Sequence, residues 1–441
     1  MRRTGRNHGW TVWRRSGAGL AAGLLAAGVL AACGSSNDPV ETDPNAAVTI
    51  WAGPDVMGVV DLYREAHPDV KVKVETVARA DFPSKVLLAN NTGKGWPDLI
   101  FLEMSLVAQV SDAAHDFPLD ISTYLPDNLE EEFTPGAFDS CRSGDEVICL
   151  RNDLAPNVLW YNAKLMDRFG YEVPTTFEEY QALSDQVAKD HPGYLMGLLD
   201  GGLESYYQAS GCPVAQKESS DELRIDLEDD ACTRVTGMLD HMLENKTITP
   251  LSVSGTEVAK TVSDDKMLML MGPAWFGQYL FGGTPESTWY QTADGQLAAA
   301  APLAWEGEEA QAGSNGGGAW VVSRHAKNPE TAVDIAVWMA TSPEHAATAP
   351  SLPAHRPSAE IWQKTLDANR LYAANPYPVF QDAAARISTS LSAVRFDPIT
   401  LFGTTVLTDA QQGKSVESAI ETYQQQLVDT ARTAKYDVAG Q

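Results

Sequence analysis

From Ala47 onward, short apolar runs alternate with amphipathic stretches. Val48-Thr-Ile-Trp-Ala reads as a strand, closed by Gly53-Pro54. Residues 56–67 carry apolar side chains at helical spacing and stop at His67-Pro68. Val70 to Val77 alternates apolar with charged positions, as a half-buried strand does. A helix follows from about Pro83 to Asn91, then Gly93-Lys-Gly-Trp-Pro, then the strand Asp98-Leu-Ile-Phe-Leu. Strand, helix, strand, helix, strand in so short a stretch is the pattern of a parallel sheet with crossover helices.

The pattern then returns in kind with a different sequence. Val158-Leu-Trp-Tyr leads into a helix that ends near Phe169-Gly170. Pro174-Thr-Thr-Phe-Glu-Glu opens another, with Thr175 or Thr176 as N-cap and acids in the first turn. Met267-Leu-Met-Leu-Met is an apolar strand ending at Gly272-Pro273. Ala319-Trp-Val-Val is another, preceded by Ser-Asn-Gly-Gly-Gly and followed by a helix over residues 329–340.

The start of the chain is of a different character. Residues 2–15 carry five arginines and no acid, and Ser16 to Ala32 is small and apolar up to Leu30-Ala31-Ala32-Cys33-Gly34. That is the layout of a lipoprotein signal peptide over residues 1–32, with Cys33 as the lipidated residue. Residues 33–46 are polar and proline-punctuated, a flexible tether. Cleavage removes five of the 32 basic residues and none of the 59 acids, so the mature formal charge is −32. Such a surface repels nucleic acid and anionic headgroups, leaving the lipid as the one expected tie to a membrane.

Four cysteines remain, an even number in a chain routed to an oxidising compartment, so two disulfides are expected out of three possible connectivities. Cys141 and Cys149 flank the turn signal Arg-Ser-Gly-Asp-Glu and pair across a hairpin, which leaves Cys212 with Cys232.

Taken in order, these segments resemble the extracellular solute-binding proteins of carbohydrate ABC importers, the group that includes maltose-binding protein. The likeness is carried by Val48-Thr-Ile-Trp with Tyr63-Arg-Glu-Ala-His-Pro-Asp, by Gly95-Trp-Pro-Asp98-Leu-Ile-Phe, and by Leu159-Trp-Tyr-Asn162 with Val173-Pro-Thr-Thr-Phe-Glu-Glu-Tyr180. It continues through Met271-Gly-Pro-Ala-Trp275, Gly316-Gly-Gly-Ala-Trp-Val-Val-Ser, Leu352-Pro-Ala-His-Arg356 and the tail from Leu407 to Leu427. The chain departs from the family's pattern at Leu150-Arg151-Asn152-Asp153 and in its cysteine pairs.

The resemblance implies a two-lobed, type II periplasmic-binding-protein-like α/β fold. Each lobe would be a mainly parallel sheet flanked by helices, and crossing hinge segments would join the two. By that analogy lobe 1 spans residues 46–152 with 303–345, and lobe 2 spans 153–302 with 346–436. It implies a monomer that closes on a small carbohydrate and docks on the permease subunits of an ABC importer. The rival readings are a surface glycoside hydrolase, which needs two carboxylates facing across a cleft, and a sensory or interaction protein on the same scaffold.

A sugar site needs aromatic faces for its C–H patches and polar side chains for its hydroxyls, set on loops at strand C-termini. Asp55, after the first strand, and Glu103, at the end of the third, are candidate hydroxyl acceptors. Trp51 and Asp98 read as core and cap. Asp200-Gly-Gly-Leu-Glu-Ser-Tyr-Tyr resembles the family's second-lobe sugar loop and offers Glu204, Tyr206 and Tyr207. Trp275 follows a Gly-Pro turn and is the leading stacking candidate, Gly317 and Gly318 let backbone approach a ligand, and Arg356 and Tyr377 complete the set. No HExxH, GxSxG or GxGxxG motif occurs, and Gly413-Lys414-Ser415 lacks the upstream glycine of a phosphate loop. No catalytic residue, metal or cofactor is expected.

Overall fold

The computed structural model describes residues 42–439 apart from 79–80, 113 and 282–289. The signal segment and Cys33 lie outside the described residues. Strand β1 (Val48–Ala52) leads through a short turn into helix α1 (Met57–Ala66), then β2 (Val72–Thr76), α2 (Phe82–Thr92), β3 (Leu99–Glu103) and α3 (Met104–Val110). Gly93 ends α2 in the left-handed region, at φ 67°. After a long excursion the chain adds β4 (Leu150–Arg151) and β5 (Asp153–Leu154), and passes into a second body as β6 (Asn157–Asn162).

The second body continues with α4 (Ala163–Phe169), α5 (Phe177–Asp190), β7 (Gly197–Leu198), α6 (Asp230–Glu244), β8 (Ile248–Thr249), β9 (Met269–Pro273), the single turn α7 (Phe276–Tyr279) and β10 (Leu297–Ala300). The chain then returns to the first body as β11 (Gly318–Val322), α8 (Pro329–Thr341) and α9 (Pro343–Ala346), and crosses again at β12 (Leu352–Pro353).

The first sheet runs β2-β1-β3-β11-β4, with β1 parallel to β2 and β3, and β11 antiparallel to both its neighbours. The second repeats this plan. Strands β8 and β7 are parallel, a parallel bridge from Leu195 to Met267 joins them to β9, and β6 runs antiparallel between β9 and β10. Four strands of each sheet therefore point one way, and the fifth is the strand that has just arrived from the other body. The parallel strands need crossover helices, whereas a chain arriving from the opposite lobe enters the sheet in the reverse direction. This is the two-lobed α/β fold, with mainly parallel sheets flanked by helices.

Local signals are obeyed closely. Thr176 caps α5: its hydroxyl accepts from Glu179 N at 3.1 Å, and the Glu179 carboxylate accepts from Thr175 N at 2.7 Å and Thr176 N at 3.4 Å. These donors hold the Glu179 carboxyl below its ordinary pKa. Thr176→Ala is expected to cost about 1 kcal/mol of stability. Urea unfolding checks it, and an unchanged midpoint would show that the cap contributes nothing. Asp98 is a structural brace, accepting from Thr49 N at 2.7 Å and Lys327 N at 3.2 Å, and Trp51 is buried. Both disulfides form in the expected pairing, Cys141–Cys149 and Cys212–Cys232.

Candidate functional site

Three segments connect the two sheets. Strand β5 pairs antiparallel with β12, and the third segment, residues 312–317, is bound beside them. Asn157 N donates to Gly313 O at 2.8 Å and Asn315 N to Ala155 O at 3.1 Å. Over these crossings lies a cleft of about 640 Å³, within the range of small-molecule sites. Its walls are the C-terminal end of β3, the start of β11, and α7 after β9. This is where open α/β sheets place ligands.

The floor is a mesh of polar side chains and backbone. Asp153 Oδ1 accepts from Gly318 N at 3.0 Å and Asn152 Nδ2 at 3.2 Å. Asn152 Oδ1 accepts from the Trp320 indole at 3.1 Å. Beneath it the buried Arg151 donates to Asp153 O at 3.0 Å, and burial lowers the guanidinium pKa.

The three glycines are required by packing. Gly316 and Gly317 have φ of 91° and 76°. A Cβ on Gly317 would sit 2.8 Å from Arg151 Nη2, and one on Gly318 would sit 2.1 Å from the Phe101 ring. Only residues without side chains let this floor lie so close to its support.

One wall is aromatic. Trp275 is half-buried, donates its indole N–H to Asn315 O at 2.9 Å, and meets Tyr279 edge to face with centroids 6.3 Å apart. Tyr279 is exposed. Opposite stands Glu103, the last residue of β3, paired in register with Gly318. Aromatic faces, carboxylate, amides and bare backbone together match the surface of a sugar, with its C–H patches and hydroxyls.

Of the residues singled out from the sequence, Glu103, Trp275, Gly317 and Gly318 line this cleft. Asp55 falls in the turn between β1 and α1, beside cleft-lining Val56, and its side chain lies outside what the structure describes. Five expectations need correction.

Glu204, Tyr206 and Tyr207 fall in a π-helical turn, Leu203–Gln208, whose residues are all buried. The third crossing runs over it: a Cβ on Gly313 would lie 1.7 Å from Glu204 O, and Ser314 N donates to Gln208 Oε1 at 2.9 Å. The Tyr207 hydroxyl is bonded to Thr236 Oγ1 at 2.9 Å, and that of Tyr206 faces Tyr180 at 3.4 Å. Burial pushes both phenols above their ordinary pKa. Neither Glu204 carboxyl oxygen has a partner among the described residues. Burial, and then Asp200 and Asp397, push its pKa up to about 7.

Arg356 is exposed and donates to Glu131 O, away from the cleft. Tyr377 is buried against Trp362, its hydroxyl accepting from Gln381 Nε2 at 2.9 Å.

Sequence reasoning missed Asn152, Asp153, Tyr279 and Asn315 as lining residues. Tyr279 had a signal, since it lies one helical turn beyond Trp275. Among the described residues, no group of three or more His, Cys, Asp and Glu side chains is placed to hold a metal ion, and no helix is long and apolar enough to cross a membrane.

Solved structures share this architecture. The ABC transporter associated binding protein from B. animalis subsp. lactis Bl-04, in complex with beta-1,6-galactobiose, superposes with a TM-score of 0.72 at 18% identity, over 89% of this chain and 99% of that one. The galacto-N-biose-/lacto-N-biose I-binding protein of the ABC transporter from Bifidobacterium longum, in complex with lacto-N-biose, gives 0.72 at 17%, over 91% and 100%. The sugar-binding protein MalE from Xanthomonas citri gives 0.68 at 16%, over 88% and 98%. No curated protein matches the sequence. Residues 49–346 match the family model of the bacterial extracellular solute-binding proteins, and the chain belongs to that family.

Proposed function

We propose that this protein captures a small carbohydrate in the cleft and presents it to the permease subunits of an ABC importer. It works outside the cytoplasm, held to the membrane by lipid on Cys33, as a monomer without enzymatic activity. One observation carries the reading: Trp275 and Tyr279 on one side, and Glu103 with the triglycine floor on the other, converge over the chain crossings. The similar folds crystallised with galactobiose and lacto-N-biose support the ligand class. Residues 46–152 with 303–345 would then move as one lobe, and 153–302 with 346–436 as the other. Closure draws its free energy from contacts that exist only when both lobes touch the sugar.

Titration calorimetry of the mature chain against mono- and disaccharides, with a polyamine and a peptide as controls, tests the proposal. Saturable heat is expected with at least one neutral sugar and with neither control. Heat from a control and from no sugar would overturn it.

A further inference from the structure

The cavity does not stop at its polar floor. It runs on between α1 and the α8–α9 corner, which pack on each other. One wall presents the half-buried Val56 and Leu62 on one helical stripe above the buried Val59, and the buried Ala340, Ala346 and Ala349 close the far side. At the mouth, a Cβ on Gly58 would meet nothing within 4 Å.

The hydroxyls lining this chamber already donate their protons within the protein. Ser351 donates to Leu154 O at 2.9 Å, Ser358 to Thr341 O at 3.1 Å, and Thr348 to His345 O at 3.2 Å. The half-buried His345 imidazole beside them has its pKa lowered by burial, partly offset by Asp153.

A sugar ring pushed into this chamber would surrender its hydration for few new hydrogen bonds. An apolar group carries no hydration to surrender and would remove its own surface and that of Val56 and Leu62 from water. The chamber opens directly onto the Trp275 and triglycine end of the same cavity. A molecule that fills both must be polar and ring-bearing at one end and apolar at the other. We infer that the preferred ligand is a glycoside with an apolar aglycone, an aryl or alkyl group, its sugar between Trp275 and the glycine floor and its aglycone against Val56 and Leu62. This rests on the reading of the cleft as a sugar site, and it names the chemical class within it.

Calorimetry with methyl and p-nitrophenyl glycosides of glucose, galactose and N-acetylglucosamine tests the inference. For a sugar that binds, the aryl glycoside is expected to bind at least about tenfold more tightly than the methyl one, from the extra apolar area buried. Gly58→Leu, a change that favours helix and projects into open space, is expected to erase that advantage and leave methyl glycoside affinity unaltered. Equal affinities for the two glycosides would overturn the inference while the sugar reading stands. An aryl advantage that survives Gly58→Leu would place the aglycone elsewhere and overturn it as well. Binding of none of the six while a mono- or disaccharide of the first panel binds would overturn the inference and leave the sugar reading standing.

Discussion

Glu204→Gln raises the unfolding midpoint at pH 8 by about 5 °C and leaves it almost unchanged at pH 4. The carboxyl is buried in the π-helical turn with no hydrogen-bond partner among the described residues, and the charges of Asp200 and Asp397 act on it as well. An ionised carboxylate there would lose its hydration with no hydrogen-bond partner among the described residues to replace it. Its pKa is therefore pushed up from an ordinary 4.5 to about 7.

The sign of the pH dependence follows from where the proton is held. Below about pH 4.5 the group is neutral in the folded and unfolded chain alike, and its neutral form suits the site. As pH rises from there to about 7, the unfolded chain releases the proton while the folded chain retains it, and that share of stability is lost. The loss is complete above about 7 and amounts to about 3 kcal/mol. Glutamine keeps the shape of the neutral acid and cannot ionise, so it recovers the loss at high pH alone. Scanning calorimetry of both proteins at pH 4, 6 and 8 reads the difference directly. A gap between them that does not widen with pH would sink the account.

The same residue shows where the sequence stops being legible. Short apolar runs bounded by turn residues identified β1, β3, β6, β9 and β11, because these strands are buried along almost their whole length. Thr176 was legible because a cap is a local hydrogen bond between residues three apart. Asp200-Gly-Gly-Leu-Glu-Ser-Tyr-Tyr has the composition of an exposed binding loop, and nothing within it says that residues 312–314 will lie across its top. Burial here is decided by the third crossing segment, more than a hundred residues away. Tyr377 was misread for the same reason, since the Trp362 that covers it lies on another helix. Glu103, Trp275, Gly317 and Gly318 were legible because they sit at strand ends, and the topology of the sheets sends those ends to the cleft. Asn152 and Asp153 were passed over because a hinge residue has no periodic signature. Only the pairing of β5 with β12 reveals what they support.

Trp275→Ala is expected to weaken binding of the captured sugar by roughly a hundredfold, while Trp275→Phe weakens it by about tenfold or less. The indole does two things at once. Its faces form the aromatic wall beside Tyr279, and its N–H ties α7 to the third crossing through Asn315 O at 2.9 Å. Alanine removes both, leaving a gap in the wall and an unbonded carbonyl at the hinge. Phenylalanine restores a ring face and loses only the tether. The two substitutions therefore separate stacking from positioning. If the wall is what holds the sugar, affinity follows the ring and Phe resembles the wild type. If the tether is what matters, Phe and Ala are alike. Trp275 is half-buried at the cleft and packs on the core with only part of its surface, so neither change is expected to move the unfolding midpoint by more than a few degrees. Calorimetric titration of the three proteins with the same sugar measures the ratios. An undiminished affinity in Trp275→Ala would remove the aromatic wall from the binding site, and with it the strongest physical reason for reading this cleft as one built for a carbohydrate.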